Sequence, residues 1–182
     1  MQLSSFDCAG ELWALTVSTP RRYALEALFG PGHQEMASYT PHARRLGLRV
    51  VETGPGFGIC ALPFREELIG DPVRRVIFGG AITTLIDHTS GLAVACALEE
   101  LTSVATIDLR VDYLRAAKSD VELFARAECY RVTRNVAFVR ALAYENSSDD
   151  AFASALGTFM IGANRSETPF SRLLPGGEDN KR

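Results

Sequence analysis

The stretch "FGGAITTLIDHTSG", from Phe78 to Gly91, decides the fold of this 182-residue chain. It opens with two glycines and continues as a nearly unbroken apolar run with one acidic side chain, Asp87. No other formally charged side chain occurs between Val76 and Leu98. A run of this length and apolarity predicts a buried helix, and a carboxylate inside it needs either a partner or a chemical role.

The apolar run is long enough to span a bilayer in principle. It also contains several hydroxyl side chains together with Asp87 and His88, and an ionisable residue at membrane depth is costly. A buried helix of a soluble protein therefore explains the run better than a membrane span. The first twenty residues lack both a basic region and a long apolar core, so they do not resemble a signal peptide. We expect a cytoplasmic protein with no membrane partner.

The composition argues against two further classes of protein. A net charge of -3 with 23% charged residues lacks the excess of Lys and Arg that marks a nucleic-acid footprint. The four cysteines show no CxxC spacing and the three histidines are scattered, so the sequence predicts no metal site.

The segments around the central helix predict short strands and turns. A short helix is expected at Pro41–Gly47, and the "TGPGFG" sequence predicts the turn of a hairpin. Beyond the helix, polar and apolar residues alternate from Thr106 to Tyr113, which predicts a half-buried strand. Three more long strands joined by short turns follow, and such strands are antiparallel. One apolar helix covered by an antiparallel sheet is an α+β architecture.

Three regions are expected along the chain. Residues 1–40 contain "PRRYALEALF" followed by "GPG", which predicts a helical extension ending at the glycines. Residues 41–164 form the predicted α+β domain. Residues 165–182 are polar and rich in Gly and Pro, which favours a flexible tail.

Five segments in this order resemble a known family: "PHARRLGLRVVETGPGFGICALPFREELIG", "GGAITTLIDHTSGLAV", "ATIDLRVDYLRAA", "RAECYRVTRNVAFVRALAYE" and "ASALGTFMI". They are similar to hotdog-fold acyl-CoA thioesterases of the phenylacetyl-CoA (PaaI-like) type. The resemblance implies a long helix wrapped by a curved antiparallel sheet. It also implies a homodimer or a dimer of dimers, with active sites at the dimer interface. It implies an acyl-CoA substrate and no separate cofactor, since coenzyme A is part of the substrate.

The resemblance also implies which residues carry the chemistry. The family's motif is HGG followed by an acid, and here it reads "FGG" followed by Asp87. Asp87 is then the general base or the nucleophile, and the backbone N–H of Gly79 binds the thioester oxygen. Thr106 matches a Ser or Thr that helps to position water.

The spacing of these residues favours a site shared between two subunits. Asp87 lies eight residues beyond Gly79, which is ~12 Å along a straight helix. One subunit cannot easily place both groups on one carbonyl, whereas two subunits can. Helical spacing puts small side chains around Asp87, and they predict a narrow acyl or pantetheine channel. With Phe78 and Gly80, the expected substrate contacts are Thr83, Thr84, Ser90 and Gly91.

Arginines near the strand ends are the expected contacts for coenzyme A, because a guanidinium binds phosphate in a bidentate manner. In the family that the chain resembles, the nucleotide lies against two segments. The matching segments here contain the expected contacts Arg115, Arg131, Arg134 and Asn135. Arg74 and Arg75, in the loop that enters the central helix, are an alternative clamp for phosphate or for a substrate carboxylate.

Two departures from the family bear on function. The motif histidine is Phe78 here, and the family's asparagine six positions earlier falls on Pro72. Neither side chain can donate or accept a hydrogen bond. The leading hypothesis is hydrolysis of an aromatic or medium-chain acyl-CoA. The alternatives are a non-hydrolytic acyl-CoA binder and a hotdog enoyl-CoA hydratase or dehydratase. No GxSxG sequence supports a serine hydrolase.

Overall fold

The computed structural model describes residues 40–100 and 102–162. The expected N-terminal extension and C-terminal tail lie outside the described residues, apart from Thr40 at the edge of the extension. The described part contains two α-helices and eight strands. The six longer strands follow the expected order, whereas the two short strands just before the second helix were not expected. The bounds are α1 Pro41–Leu46, β1 Arg49–Gly54, β2 Phe57–Leu62, β3 Ile69–Asp71, β4 Val76–Ile77, α2 Gly79–Ala97, β5 Val104–Tyr113, β6 Leu123–Val132, β7 Val136–Tyr144 and β8 Ala153–Ile161.

Six of the strands form one antiparallel sheet in the order β1-β2-β6-β7-β8-β5. The short strands β3 and β4 pair separately just before α2. Helix α2 packs along the inner face of the large sheet, chiefly against β2, β6 and β7. This arrangement confirms the expected α+β hotdog fold.

Helix α2 is apolar on most of its circumference because the sheet curves around it. Its fully buried residues include Leu85, Ile86 and Val94. The facing strands carry small side chains, which let the sheet approach closely. Five buried alanines on β6 and β7 provide this surface: Ala125, Ala127, Ala137, Ala141 and Ala143. On β2, Gly58 leaves room for Leu92, since a Cβ at Gly58 would lie 2.8 Å from the Leu92 Cδ2 atom.

The predicted end of the short helix and the predicted hairpin turn are both confirmed. Gly47 ends α1 in the left-handed conformation, and Gly56 turns the β1–β2 hairpin with φ 72°. Glycine adopts this region without a Cβ clash, which is why the chain uses it at both positions.

Strand β5 departs from the strict alternation expected for it. Thr106 pairs with Phe159, whereas Asp108 pairs with the adjacent Thr158, so Ile107 is the extra residue of a β-bulge. Residues that lie opposite each other in an antiparallel pair share a face of the sheet. Because the Phe159 side chain is buried against the helix, Thr106 faces inward and Asp108 faces outward. The prediction that these two polar residues share one face was wrong.

Candidate active site

The Asp87 carboxylate is bound by the side chain of Thr106. The Thr106 hydroxyl donates a hydrogen bond to Asp87 Oδ1 over 2.8 Å. Asp87 sits on the third turn of α2, and the β5 bulge turns Thr106 toward it. The bond uses the only donor of the hydroxyl and leaves its lone pairs available. Asp87 Oδ2 makes no hydrogen bond to the described residues, so it can accept a proton from a bound molecule.

A structural ion pair does not explain Asp87. Within residues 40–100 and 102–162, no Lys, Arg or His nitrogen forms a salt bridge with its carboxylate. Asp87 is half-buried, and Thr106 beside it is exposed. A carboxylate that is held in place and still open to solvent is suited to act as a base or a nucleophile.

A cavity of about 270 Å³ lies between α2, β5 and β8 on the C-terminal side of Asp87. Its described lining combines a polar end with an apolar body. The polar end contains Asp87, His88 and Thr106, and Thr40 and Thr102 add two further hydroxyls. The apolar body consists of Gly91, Leu92, Ala95, Val104 and Phe159.

The first turn of α2 is held by Tyr113 at the end of β5. The Tyr113 hydroxyl donates to the backbone oxygen of Gly79 over 2.9 Å and lies 3.0 Å from Thr83 Oγ1. Since the phenol proton goes to Gly79, Thr83 is the donor in the second bond. The backbone N–H groups of Gly79 and Gly80 bind none of the described residues, as is usual in the first turn of a helix. The positive end of the α2 dipole is therefore available to an anion.

Tyr113 is a site residue that the sequence reasoning missed. It occupies the last inward position of β5, opposite Ala153, and the strand pattern alone could have placed it on the helix side. Its partner at the start of α2 was not predictable, because that contact depends on where β5 ends relative to the helix.

Phe78 precedes the helix and lies at the surface, with 61% of the residue exposed. Its ring packs against Gly80, since a Cβ at that glycine would lie 2.4 Å from the Phe78 Cε1 atom. Gly70 makes a similar close approach to the Phe78 backbone. The position of the motif histidine is thus filled by an apolar surface beside the free N–H groups of the helix.

The small residues expected around Asp87 have different environments. Gly91 lines the cavity with Asp87. Thr84 instead donates to the backbone oxygen of Gly80 over 2.9 Å, within the helix. Ser90 is buried, and its Oγ makes no hydrogen bond in the described part of the structure. Of the four, only Gly91 borders this cavity, while Thr83 supports the first turn of α2.

His88 lines the same cavity as Asp87. Adjacent side chains of a helix point ~100° apart, and the lining of this cavity includes both positions. Burial lowers the pKa of the His88 imidazole below its usual value, and the negative charge of Asp87 opposes only part of this shift. The imidazole is therefore neutral at neutral pH.

Arg115 is engaged within the chain. Its guanidinium binds the buried Glu145 carboxylate through two hydrogen bonds of 2.6 and 2.8 Å, and it also contacts Asp150. This ion pair holds the pKa of Glu145 below its usual range. The fork that would bind a phosphate is already occupied, so the position of Arg115 favours a structural role.

Arg131 lies near the end of β6, and Arg134 and Asn135 lie in the turn that follows; all three are exposed. Arg134 and Asn135 line an open groove of about 810 Å³ that also contains Glu99 and Glu100. Thr102 borders both this groove and the Asp87 cavity, so the two are neighbours.

The loop before α2 carries the other expected cation pair. Arg75 binds Glu66 and Asp120 over 2.9 and 2.7 Å, so its charge is balanced locally. The Arg74 side chain is 82% exposed. Asp71 accepts hydrogen bonds from the backbone N–H groups of Val73 and Arg74, which form the loop around Pro72. Asp71 therefore stabilises its own loop rather than replacing the family's asparagine.

Two structural findings concern other kinds of site. In residues 40–100 and 102–162, no group of three or more His, Cys, Asp or Glu side chains is arranged to hold a metal ion. No helix in the same residues is long and apolar enough to cross a membrane.

Comparison with known proteins places these features in a family. Residues 75–150 match the family model described as the thioesterase superfamily. The chain is 28% identical over 137 residues to the medium/long-chain acyl-CoA thioesterase YigI of Escherichia coli strain K12, covering 68% of this chain and 87% of YigI. It is 40% identical over 94 residues to the esterase candidate VNG_1336C of Halobacterium salinarum. That alignment covers 50% of this chain and spans only 61% of the Halobacterium protein.

A solved structure supports the same grouping. The crystal structure of a protein from the thioesterase superfamily superposes with a TM-score of 0.63 at 30% identity. The match covers 70% of this chain and 97% of that one.

Proposed function

Because this chain belongs to the thioesterase superfamily, we propose that it hydrolyses acyl-CoA to a free acid and coenzyme A. The proposed acyl group is aromatic or of medium length. One observation carries the proposal: Asp87 is oriented by Thr106, forms no salt bridge with a described cation, and lines a cavity whose body is apolar. The name of YigI, a medium/long-chain acyl-CoA thioesterase, supports the substrate class.

In the proposed reaction Asp87 acts on the thioester carbonyl. As a general base, its free Oδ2 takes a proton from water while the water oxygen bonds to the carbonyl carbon. The tetrahedral intermediate then breaks its C–S bond, and the proton passes to the departing thiolate. As a nucleophile, the same oxygen would attack the carbonyl and expel the coenzyme A thiolate, which leaves an anhydride. Water would hydrolyse this anhydride to the free acid and the Asp87 carboxylate, and the released proton would go to the thiolate. Thr106 supports either route, because its hydrogen bond fixes the orientation of the carboxylate.

The oxyanion is stabilised in this proposal by the N–H of Gly79 from a second subunit. Gly79 and Asp87 lie on one uninterrupted helix, so ~12 Å of helix axis separates them within a chain. A dimer with the two helices side by side brings the glycine of one chain to the aspartate of the other. Removal of a single oxyanion donor typically costs about 10²–10³ in kcat, so the amide is a substantial part of the proposed catalysis.

The outer edge of β5 supports the proposed dimer. In the described residues, β5 pairs only with β8, and its other edge is open. Apolar side chains lie on and just beyond this strand: Ile107 is 51% exposed and Leu114 is 63% exposed. An open edge with apolar side chains favours pairing with another chain. Assembly into dimers of dimers remains a prediction, as does the cytoplasmic location.

The exposed turn with Arg131, Arg134 and Asn135 is the proposed contact for the coenzyme A nucleotide. The exposed guanidinium groups of Arg131 and Arg134 support this assignment, and Arg134 lines an open groove. The carboxylates of Glu99 and Glu100 in the same groove oppose it, because they repel phosphate. Arg74 is the alternative contact, since it is exposed in the loop before α2.

The test is release of free thiol from a panel of aromatic and straight-chain acyl-CoAs. We expect Asp87→Asn to reduce kcat by about a hundredfold or more, because it removes the base and keeps the shape of the side chain. Asp108→Asn is the matched control: it removes a carboxylate from the outer face of the same sheet and should leave kcat unchanged. Both variants must keep the oligomeric state of the wild type.

A non-hydrolytic acyl-CoA binder is the second candidate. Phe78 and Pro72 replace the motif histidine and asparagine, and Asp71 is occupied by its own loop. If the wild type binds acyl-CoA and releases no thiol from any member of the panel, the binder replaces the enzyme as the better proposal.

A further inference from the structure

Gly91 has an environment unlike that of the other glycines in the described residues. A Cβ added at Gly91 would meet no heavy atom within 4 Å, whereas every other described glycine has a neighbour at that distance. Gly91 also lies in the middle of α2, where glycine costs about 0.5–1 kcal/mol relative to alanine. Packing therefore gives no reason for a glycine here, although the helix would be more stable with alanine.

The open space beside Gly91 is part of the cavity that begins at Asp87. Asp87, Gly91 and Ala95 follow one another at intervals of four residues, so they form a row along one face of α2. Val104 and Phe159 line the cavity from the sheet side. A side chain at the middle of the row would block the passage from Asp87 to Ala95.

We propose that Gly91 determines which acyl groups the protein accepts, by leaving open the channel in which the acyl group lies. The proposal rests on the proposed function, since it places the acyl carbon next to Asp87. The acyl group then runs from Asp87 past Gly91 toward Ala95 and Phe159. An apolar group of medium length, or an aromatic ring on a short linker, is the substrate class that fits.

The size of the cavity supports this class. Its volume of about 270 Å³ exceeds the ~150 Å³ of an engineered apolar cavity that binds benzene. It lies just below the ~300–1,000 Å³ of pockets for drug-sized ligands. A long acyl chain would not fit within this volume, so its distal end would have to extend outside the cavity.

The lining favours the acyl group over the pantetheine arm of coenzyme A. Pantetheine carries two amides, and burial of an amide without hydrogen bonds is costly. Beyond the end that contains Asp87, His88 and Thr106, the described walls offer only the hydroxyls of Thr40 and Thr102. An apolar chain needs no such partners.

The experiment measures binding, so it does not depend on turnover. S-alkyl-CoA thioethers, from ethyl to hexadecyl, cannot be hydrolysed at a thioester and can be titrated into the full chain by calorimetry. For the wild type we expect Kd to fall up to about fourfold per added methylene, until the chain fills the cavity and Kd levels off. For Gly91→Leu we expect Kd to level off several methylenes earlier. The longest medium chains should then bind roughly fiftyfold more weakly.

Two further variants keep the test decisive. Gly91→Ala adds one methyl group without a clash, so it should fold and shorten the accepted chain by about one methylene. Ala116→Leu is the size control, because Ala116 is exposed and lies outside the cavity lining. It should reproduce the wild-type series.

The outcomes distinguish the proposed acyl channel from the proposed hydrolysis. The proposal is overturned if Gly91→Leu levels off at the same chain length as the wild type. It is also overturned if Gly91→Leu weakens coenzyme A and every thioether equally, which would place pantetheine in the cavity. A wild type that binds no thioether more tightly than coenzyme A overturns it as well. If the expected series appears and no acyl-CoA is hydrolysed, the channel stands and the proposed hydrolysis fails.

Discussion

At the scale of single residues, the site depends on side chains whose environments differ sharply along one helix. One oxygen of Asp87 accepts a hydrogen bond from Thr106, and the other has no partner in the described residues. The adjacent His88 lines the same cavity, and burial lowers its pKa. Arg115 and Glu145 form an ion pair at a distance from both. Of these four residues, Asp87 and His88 line the cavity described above, and Arg115 and Glu145 do not.

The depressed pKa of His88 predicts how stability depends on pH. Just below the ordinary histidine pKa of about 6.5, His88 binds a proton in the unfolded chain but stays neutral in the folded protein. The free energy of unfolding should therefore fall as the pH decreases through 6.5 toward the lower pKa of the folded state. Urea unfolding at a series of pH values should show a weaker dependence in His88→Gln than in the wild type.

The same substitution at His42 provides the control for this measurement. His42 is exposed on α1, so His42→Gln should keep the wild-type pH dependence. If both variants behave alike, burial of His88 does not contribute to acid sensitivity.

At the scale of elements, the contact between α2 and the sheet distinguishes two glycines. Gly58 of β2 permits close contact with Leu92, whereas Gly91 of α2 borders empty space. We expect Gly58→Ala to destabilise the protein by about 1–3 kcal/mol through overpacking. Gly91→Ala should stabilise it by about 0.5–1 kcal/mol, because alanine is the better helix former. Thermal or urea unfolding of both variants checks the opposite signs, and a loss of stability in Gly91→Ala would contradict the open space.

The elements were largely predictable from the sequence, and their details were not. The apolar run from Phe78 to Leu98 predicted a helix because its length and its lack of charge leave few other structures. The bulge at Ile107 has no comparable signal, since alternation continues unbroken through it in the sequence. It lies in the pairing of β5 with β8, and Thr106 on its N-terminal side faces Asp87.

Some residues of the candidate site were likewise predictable from the sequence, and others were not. The resemblance to a family pointed to Asp87 and Thr106, which lie in contact. Ser90 was expected from helical spacing, and it is buried with no hydrogen bond to its Oγ in the described residues. Arg115 was expected from the family segment that contains it, and its guanidinium is paired with Glu145. Helical spacing gives the face of a residue, and only the tertiary structure tells whether that face meets a cavity or the core.

At the scale of the whole molecule, the sheet has two different edges. Ile107 lies on edge strand β5 and Val51 on edge strand β1, with exposures of 51% and 50%. We expect Ile107→Lys to shift the protein toward monomers, because a lysine on an edge strand opposes pairing between chains. Val51→Lys should leave the mass unchanged. Light scattering after size-exclusion chromatography measures both, and a wild-type monomer would rule out the proposed shared site.

Helix α2 runs without interruption from Gly79 to Ala97, and this continuity has a genetic consequence in the proposed dimer. Each subunit gives its aspartate to one site and its glycine amide to the other. When an intact allele and an allele that lacks Asp87 are expressed together, every mixed dimer keeps one complete site. Such an allele is recessive in its effect. A second allele that lacks only the Gly79 amide complements the first. In the mixed dimer of the two inactive proteins, one site receives an intact Asp87 from one chain and an intact Gly79 amide from the other.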